Sequence, residues 1–431
     1  MPTVKSLINK LRARFPITHY VRDILVVASG NSAAQMLGIV AMPLLTRLYT
    51  PSDFAALTLL TQVVAGLAIL QTLRFEYLVM LPAEEREAEA LLRLTFRLGV
   101  LHVMWLTPLL AWLPTNWTWL SDQGLIAEWL WLAPITALSV SISLGLQQAV
   151  QRKENFRASA ASEFAGRTAY VSCALIGALA LPNITGLMLS PFANSSVKLA
   201  WLLGLNRGFI RPFLQSSVVS ISKSIRRLAL WTSASNLISL FSGLAPMVFI
   251  ADQYGANALG QYGLVLSTLY LPSTLLGQAI GQVFYQRASR LHVDGSSFSN
   301  LLVKTTGHLV KIGVPLYCLV SLIAPIAYPW VFGADWASSG EMARWLCIAA
   351  FAGFLSTPLD RSSLIVGAWW YLSSWHFLRA VMTAACLILS SSQNLSLISC
   401  VILLALQNTL IYVIDWVASY LFAKKLPAYV Q

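Results

Sequence analysis

Charge is scarce in this sequence. Only 11% of its 431 residues are Asp, Glu, Lys or Arg, and the acids are the rarer kind, 17 against 29 bases. Such a chain cannot cover a water-soluble globule of this size with charged side chains. Cysteine is also sparse. Cys173, Cys318, Cys347, Cys386 and Cys400 all sit in apolar runs, more than about 25 residues apart except for the last two, without metal-ligand spacing. A disulfide framework or a zinc centre is therefore excluded, and free, buried thiols are expected. There is no Walker A sequence, paired-carboxylate motif or nucleophile constellation. No metal or cofactor is called for.

What fills the chain is apolar: 57% hydrophobic residues, 15 tryptophans and a mean hydropathy of +0.67. About twenty apolar residues cross a hydrocarbon core of roughly 30 Å. Twelve runs meet that length: 23–48, 53–81, 93–113, 125–149, 163–182, 184–204, 228–251, 257–284, 305–331, 341–367, 371–391 and 394–422. An open sheet would leave edge groups unsatisfied in lipid, and the runs are too uniformly apolar for barrel strands. The expected fold is an all-α polytopic membrane protein.

Lys and Arg in the loops set the orientation. With the N-terminus in the cytoplasm, all but six of the 29 fall on or near that side. Arg47 and Arg344 lie near the opposite surface, and Arg74, Lys198, Arg361 and Arg379 inside spans. Both termini are then cytoplasmic. The net charge of +12 reads as this asymmetry plus attraction to anionic headgroups, with no need for nucleic acid. Residues 1–22 contain Val4, Leu7, Ile8, Leu11 and Phe15 at helical spacing among bases, which predicts an interfacial amphipathic helix; a frayed basic tail is the competing reading.

The chain divides at 205–227, a basic linker between a six-helix lobe at 23–204 and another at 228–422, with a tail at 423–431. The halves are weakly alike at a shift of about 208 residues: TPSDFAALTLL (50–60) lies near NALGQYGLVLS (257–267), and LRFEY (73–77) over GQVFY (281–285). Two six-helix repeats around a central cavity would leave such self-similarity.

The stretches GNSAAQMLGIVAMPLLTRLYTPSDFAAL (30–57) and LRFEYLVMLPAEEREAEALLRL (73–94) resemble the start of Wzx-type polysaccharide-transport flippases of the MATE-like MOP superfamily. LGQAIGQVFYQRAS (276–289), VFGADWASSGEMARWL (331–346) and STPLDRSSLIVG (356–367) extend the resemblance. Ala55 departs from the family's usual glycine and is expected to tighten packing there. The resemblance implies a monomeric inner-membrane protein of surface-polysaccharide synthesis (O-antigen, capsule or exopolysaccharide). Its substrate would be a polyprenyl-diphosphate-linked oligosaccharide moved between leaflets, and a glycan polymerase is a conceivable partner.

Moving a diphosphate and a glycan through lipid requires cationic and hydrogen-bonding groups, and the arginine fork suits phosphate oxygens. The cavity candidates are Arg74, Arg361, Arg379, Lys198 and Arg47, with Asn31, Gln35, Gln71, Asn236, Gln278 and Gln282 as neutral partners. Ser233, Ser235 and Ser239 cluster beside Asn236, and packing through small polar residues is the competing explanation. Arg74 and Glu76, two apart on a helix, point about 200° away from each other, whereas Gln71 and Arg74 share a face. Glu76, Asp360, Asp415 and His102 are possible proton carriers or ion-pair members in a cycle biased by a proton or sodium gradient. Competing structural readings are snorkelling for Arg74 and Lys198, an interfacial role for Arg47 beside Asp53, an Arg379–Asp415 ion pair, and a satisfied structural ring for His102. Pro43, Gly66, Pro246, Pro272 and Gly277 are candidate bends.

Two rivals remain. A MATE-type multidrug antiporter shares the architecture but favours acidic groups for cationic drugs. A membrane-embedded glycan polymerase or ligase would need a substantial outer loop, and no outer loop exceeds about a dozen residues on these spans.

Overall fold

The computed structural model describes residues 19–82, 84–116, 126–180, 184–205 and 222–425. The predicted interfacial helix, the C-terminal tail and most of the linker lie outside these residues. Among those described the chain is helical, with no strand.

The first half comprises α1 (His19–Leu48), α2 (Pro51–Thr72), α3 (Glu85–Asn116), α4 (Leu132–Arg152), α5 (Phe156–Ala180) and α6 (Thr185–Leu205). The second opens on one run, Lys223–Leu269, which Gly255 at φ 85° breaks into α7 (223–254) and α8 (256–269). Only glycine takes that backbone without strain. A π-helical turn at Ser273–Gly277, just after Pro272, leads into α9 (Gln278–Val293). There follow α10 (Ser299–Phe332), α11 (Ala337–Ser356), α12 (Trp369–Ser392) and α13 (Leu397–Lys424). With α8 and α9 as one interrupted span, the twelve expected spans are all present.

Eight helical stretches are long and apolar enough to cross a membrane by themselves, one of them, Ile225–Gly277, covering two spans. α5 and α6 fall short of that measure. Their interiors carry Glu163, Arg167, Asn194 and Lys198, and they cross as a tightly packed hairpin: a Cβ on Gly177 would sit 2.2 Å from the Gly186 Cα. Small residues at such crossings are how membrane helices approach.

Local chemistry fixes several boundaries. Thr50 and Asp53 form a reciprocal capping box at the start of α2, with Pro51 in the first turn. Asp53 is thus taken by the Thr50 amide and hydroxyl, both at 2.8 Å, and Arg47 is exposed without an ion pair to it. α2 stops at Thr72, nine residues before the expected end of the span, because Leu73 and Arg74 both adopt left-handed backbone and a 3-10 turn follows at Phe75–Met80. α5 begins at Phe156, seven residues before its expected start, with the Asn155 Oδ1 accepting from the Ala158 amide. α7 begins at Lys223, inside the expected linker, where the Ser222 hydroxyl accepts from the Ile225 amide and its own amide donates to Glu87.

The two halves meet most closely at the end bearing residues 50 and 255. A Cβ on Gly260 of α8 would lie 1.6 Å from the Pro51 carbonyl oxygen, and one on Gly263 would strike Thr58. The Trp336 indole N–H donates to the Thr46 carbonyl at 3.0 Å, and its ring meets Phe54 edge-on at 5.1 Å. Ala55 is fully buried in this contact, consistent with close packing. Deeper, the Thr274 hydroxyl of the π-helical turn donates to Gln35 of α1 at 3.0 Å, and Gly66 of α2 faces Leu240 of α7.

The cysteines are free, as expected, but not all are buried. Cys318 is exposed on α10, an outward-facing helix that also presents Leu322, Ile326 and Trp330, while Cys347 and Cys400 are buried in the core.

Candidate functional site

The candidate polar residues separate into three clusters. The first is the break after α2. Once the helix ends at Thr72, the 200° argument no longer holds: the chain turns at Leu73 and Arg74, and Arg74 Nη1 comes within 3.9 Å of Glu76 Oε1. The expectation that they cannot pair is corrected by that turn. Gln71 leaves the shared face and donates to the Pro134 carbonyl of α4 at 3.1 Å, fully buried. Arg74 lies over the Tyr77 ring at 4.7 Å.

Glu76 is sealed, with neither carboxylate oxygen hydrogen-bonded, and Gly145 of α4 leaves room for its Cβ. Arg152 holds the turn from outside by donating to the Val79, Met80 and Pro82 carbonyls and pairing with Glu85.

The second cluster lies between α4, α5 and α6. Lys198 does not snorkel: its Nζ meets Glu163 Oε1 at 2.5 Å, and the residue is 9% exposed. Gln147 donates to the same oxygen and to the Ser159 hydroxyl, each at 3.0 Å. Gly166 allows this closeness, since a Cβ there would lie 2.4 Å from Asn194 Oδ1. One turn beyond Glu163 is Arg167, half-buried over the Tyr170 ring at 5.4 Å and against Gly38 of α1. Sequence reading passed over Glu163 and counted Arg167 with the bases on or near the cytoplasmic side, because it started the span seven residues late. The capping-type Asn155 was the signal that could have moved that start.

The third cluster joins α11, α12 and α13. Asp415 accepts from the Ser356 hydroxyl and from the Tyr371 hydroxyl, the latter at 3.0 Å. Arg379 is therefore not its partner; it lies over the Trp375 ring at 5.7 Å, a ring fixed by an indole N–H donated to the Ile411 carbonyl at 3.5 Å. Pro358 sits in a 3-10 turn at Thr357–Leu359 that interrupts the span. Just past it, Asp360 and Arg361 are exposed, and Arg361 reaches over Tyr285 of α9 at 5.5 Å.

Other candidates are locally satisfied. Asn236 donates to the Thr232 carbonyl of its own helix, and Ser235 meets Ser373 of α12 at 2.6 Å. The His102 Nδ1 is 2.6 Å from the Leu98 carbonyl one turn back. The side chains of Asn31, Gln278 and Gln282 lie outside the described set.

A shared feature emerges at the deep arginines. Arg167 and Arg379 each rest on an aromatic ring of their own helix with no ion pair to a carboxylate among the described residues, whereas Arg361, over Tyr285, has Asp360 as its neighbour. A charge at bilayer depth costs about 2.5–3.5 kcal/mol unless it faces protein or water. A ring supplies about 0.5–1 kcal/mol, or about 2 when desolvated. The remaining deficit is what hydration or an anionic ligand would remove.

The whole architecture is shared with solved membrane transporters. The inward-closed lipid II flippase MurJ superposes with a TM-score of 0.70 at 10% identity, over 92% of this chain and 90% of that one. A MOP superfamily transporter from Pyrococcus furiosus, described as having a binding pocket of reversed polarity, gives 0.64 at 11% identity over 93% and 95%. An outward-facing MATE multidrug transporter gives 0.65 at 12% over 94% and 96%. At these identities the likeness establishes the fold, the all-helical polytopic architecture of those transporters. No curated protein matches. The family profile described as "Polysaccharide biosynthesis protein" matches residues 44–341, well over half of the sequence, and the chain belongs to that family.

Proposed function

We propose that this protein is a flippase, not an enzyme, that carries a polyprenyl-diphosphate-linked oligosaccharide between leaflets of the bacterial inner membrane by alternating access. The observation that carries this reading is Arg379, on a helix long and apolar enough to cross a membrane, resting on the Trp375 ring without an ion pair to a carboxylate among the described residues, in a chain of the polysaccharide biosynthesis family. Arg361 and Arg379 engage the diphosphate, and Arg74 joins them when it leaves its loose contact with Glu76. The contacts of Gly260, Gly263 and Trp336 close the 50/255 end. With both termini cytoplasmic, this is the state closed to the periplasm. Glu76, Asp360 and Asp415 are the groups on which a proton or sodium gradient would act.

The test is translocation in proteoliposomes. A short polyprenyl-diphosphate glycan is placed in one leaflet, and its exposure to an impermeant glycan-modifying enzyme is followed. Wild type should transfer it, and Arg379→Gln should lose at least about tenfold in rate. Equal transfer by the two proteins removes Arg379 from the site. Elongated glycan in place of transfer would replace the flippase with a polymerase.

A further inference from the structure

Arg167 and Arg379 occupy equivalent places in the two halves. Each lies on the fifth span of its half, α5 and α12, with α8 and α9 counted as one span, and each of those helices packs against the first helix of its half, α1 and α7. Their separation, 379 − 167 = 212 residues, is close to the shift of about 208 that relates the two half-sequences. Arg167 is eleven residues into α5 and Arg379 ten into α12, so both are about 15–17 Å from the helix start. Each lies over a ring of its own helix, although the ring is one turn ahead at Tyr170 and one turn behind at Trp375.

In both halves the acid that could have neutralised the arginine is committed elsewhere. Glu163, four residues before Arg167 on the same face, is held by Lys198 and Gln147. Asp415 is held by Ser356 and Tyr371. Space is also kept beside Arg167: Gly38 brings only backbone against it, with a Cβ position 3.5–3.6 Å from Nε and Cζ. Two deep guanidiniums are thus left with rings on one side and fork-shaped donors unclaimed among the described residues.

We propose that Arg167 and Arg379 are a pseudo-symmetric pair of anion-binding positions, one per half, each taking a phosphate-type headgroup. The proposal rests on the flippase reading only in naming the diphosphate of the carried lipid as the natural occupant. Arg167 is thereby a binding residue in the first half, where the charged cluster otherwise reads as a self-neutralised network.

The experiment uses the full chain purified in detergent, titrated calorimetrically with inorganic diphosphate and with farnesyl diphosphate. Wild type should bind two equivalents. Arg167→Gln and Arg379→Gln should each bind one, and the double variant none. Arg167→Lys should keep both equivalents at roughly tenfold weaker affinity, because a point charge replaces the fork. Binding of both ligands assigns recognition to the diphosphate itself, and binding of farnesyl diphosphate alone assigns it to a lipid headgroup; each supports the pair. Unchanged stoichiometry and affinity in Arg167→Gln, or no binding of either ligand by wild type, overturns it.

If Arg167→Gln is not monodisperse, Tyr170→Leu serves instead, with the same loss of one equivalent expected and unchanged binding overturning the pair. Glycan transfer by wild type that Arg167→Gln fully retains overturns the pairing and leaves the flippase standing. Two bound equivalents without any glycan transfer do the reverse.

Discussion

Lys198 and Glu163 show how a single residue's surroundings decide its role. Lysine near the end of a span is expected to snorkel, yet α6 turns this one inward onto a carboxylate, with side-chain exposures of 11% and 31% for Lys198 and Glu163. Removing one member of such a pair strands the other, which costs about 3–5 kcal/mol when both are buried. The partial exposure of Glu163 moves the expectation to the lower end, about 3 kcal/mol for Lys198→Ala. Replacing both together, as Glu163→Leu with Lys198→Met, should recover most of that loss, since a well-packed apolar pair of similar volume is often neutral. Thermal unfolding in detergent distinguishes the cases. A Lys198→Ala protein within about 0.5 kcal/mol of wild type would show that the pair is decoration. The depth of Glu163 was legible only through the Asn155 cap, and its pairing with Lys198 not at all, because pairing between neighbouring helices depends on a rotation that composition does not encode. The charges Arg74, Arg361 and Arg379 were legible, since intramembrane arginines announce themselves in any hydropathy reading.

Among elements, what the sequence showed well was existence and order, and what it showed poorly was where helices stop. Most of the spans follow from apolar length, whereas α5 and α6 carry too many polar residues to be long and apolar enough by themselves. The end of α2 at Thr72 does not follow from apolar length either, because Leu73 and Arg74 take a left-handed backbone that nothing in their identities favours, and tertiary contacts at Pro134, Gly145 and Arg152 impose it. The π-helical turn at 273–277 interrupts the equivalent span of the second half, so both halves break the same helix by different local means.

The α5–α6 hairpin gives the sharpest element-level expectation. At Gly177 an added methyl meets the Gly186 backbone at 2.2 Å, which no rotamer change relieves, whereas nothing lies within 4 Å of the corresponding position at Gly204. Gly177→Ala should therefore force the two helices apart and cost at least about 1–3 kcal/mol. Gly204→Ala should stay within about 0.5 kcal/mol of wild type. Melting temperatures of the two purified variants decide this directly. Equal destabilisation would mean that the hairpin is not held by backbone approach.

At the scale of the molecule, the halves are pinned where Pro51 and Thr46 of the first meet Gly260 and Trp336 of the second. Glycine at 260 is demanded by that contact, since even a methyl would overlap the Pro51 carbonyl. Alternating access requires this end to part once per cycle, while the clusters around Arg361 and Arg379 stay intact within the second half. A covalent clamp between the halves at this end should therefore separate binding from movement. With the five native cysteines replaced, Thr58→Cys and Gly263→Cys, whose Cβ positions would lie 3.4 Å apart, introduced together and oxidised should reduce glycan transfer to background. Diphosphate binding should persist, because the arginines are untouched, and reduction of the clamp should restore transfer. Because Gly263→Cys adds a side chain to a close contact, the rate of the unoxidised double variant is the proper reference rather than wild type. Transfer that continues under a quantitative clamp would mean that the 50/255 end never opens, and the rocking motion would have to be replaced by a path running along one half.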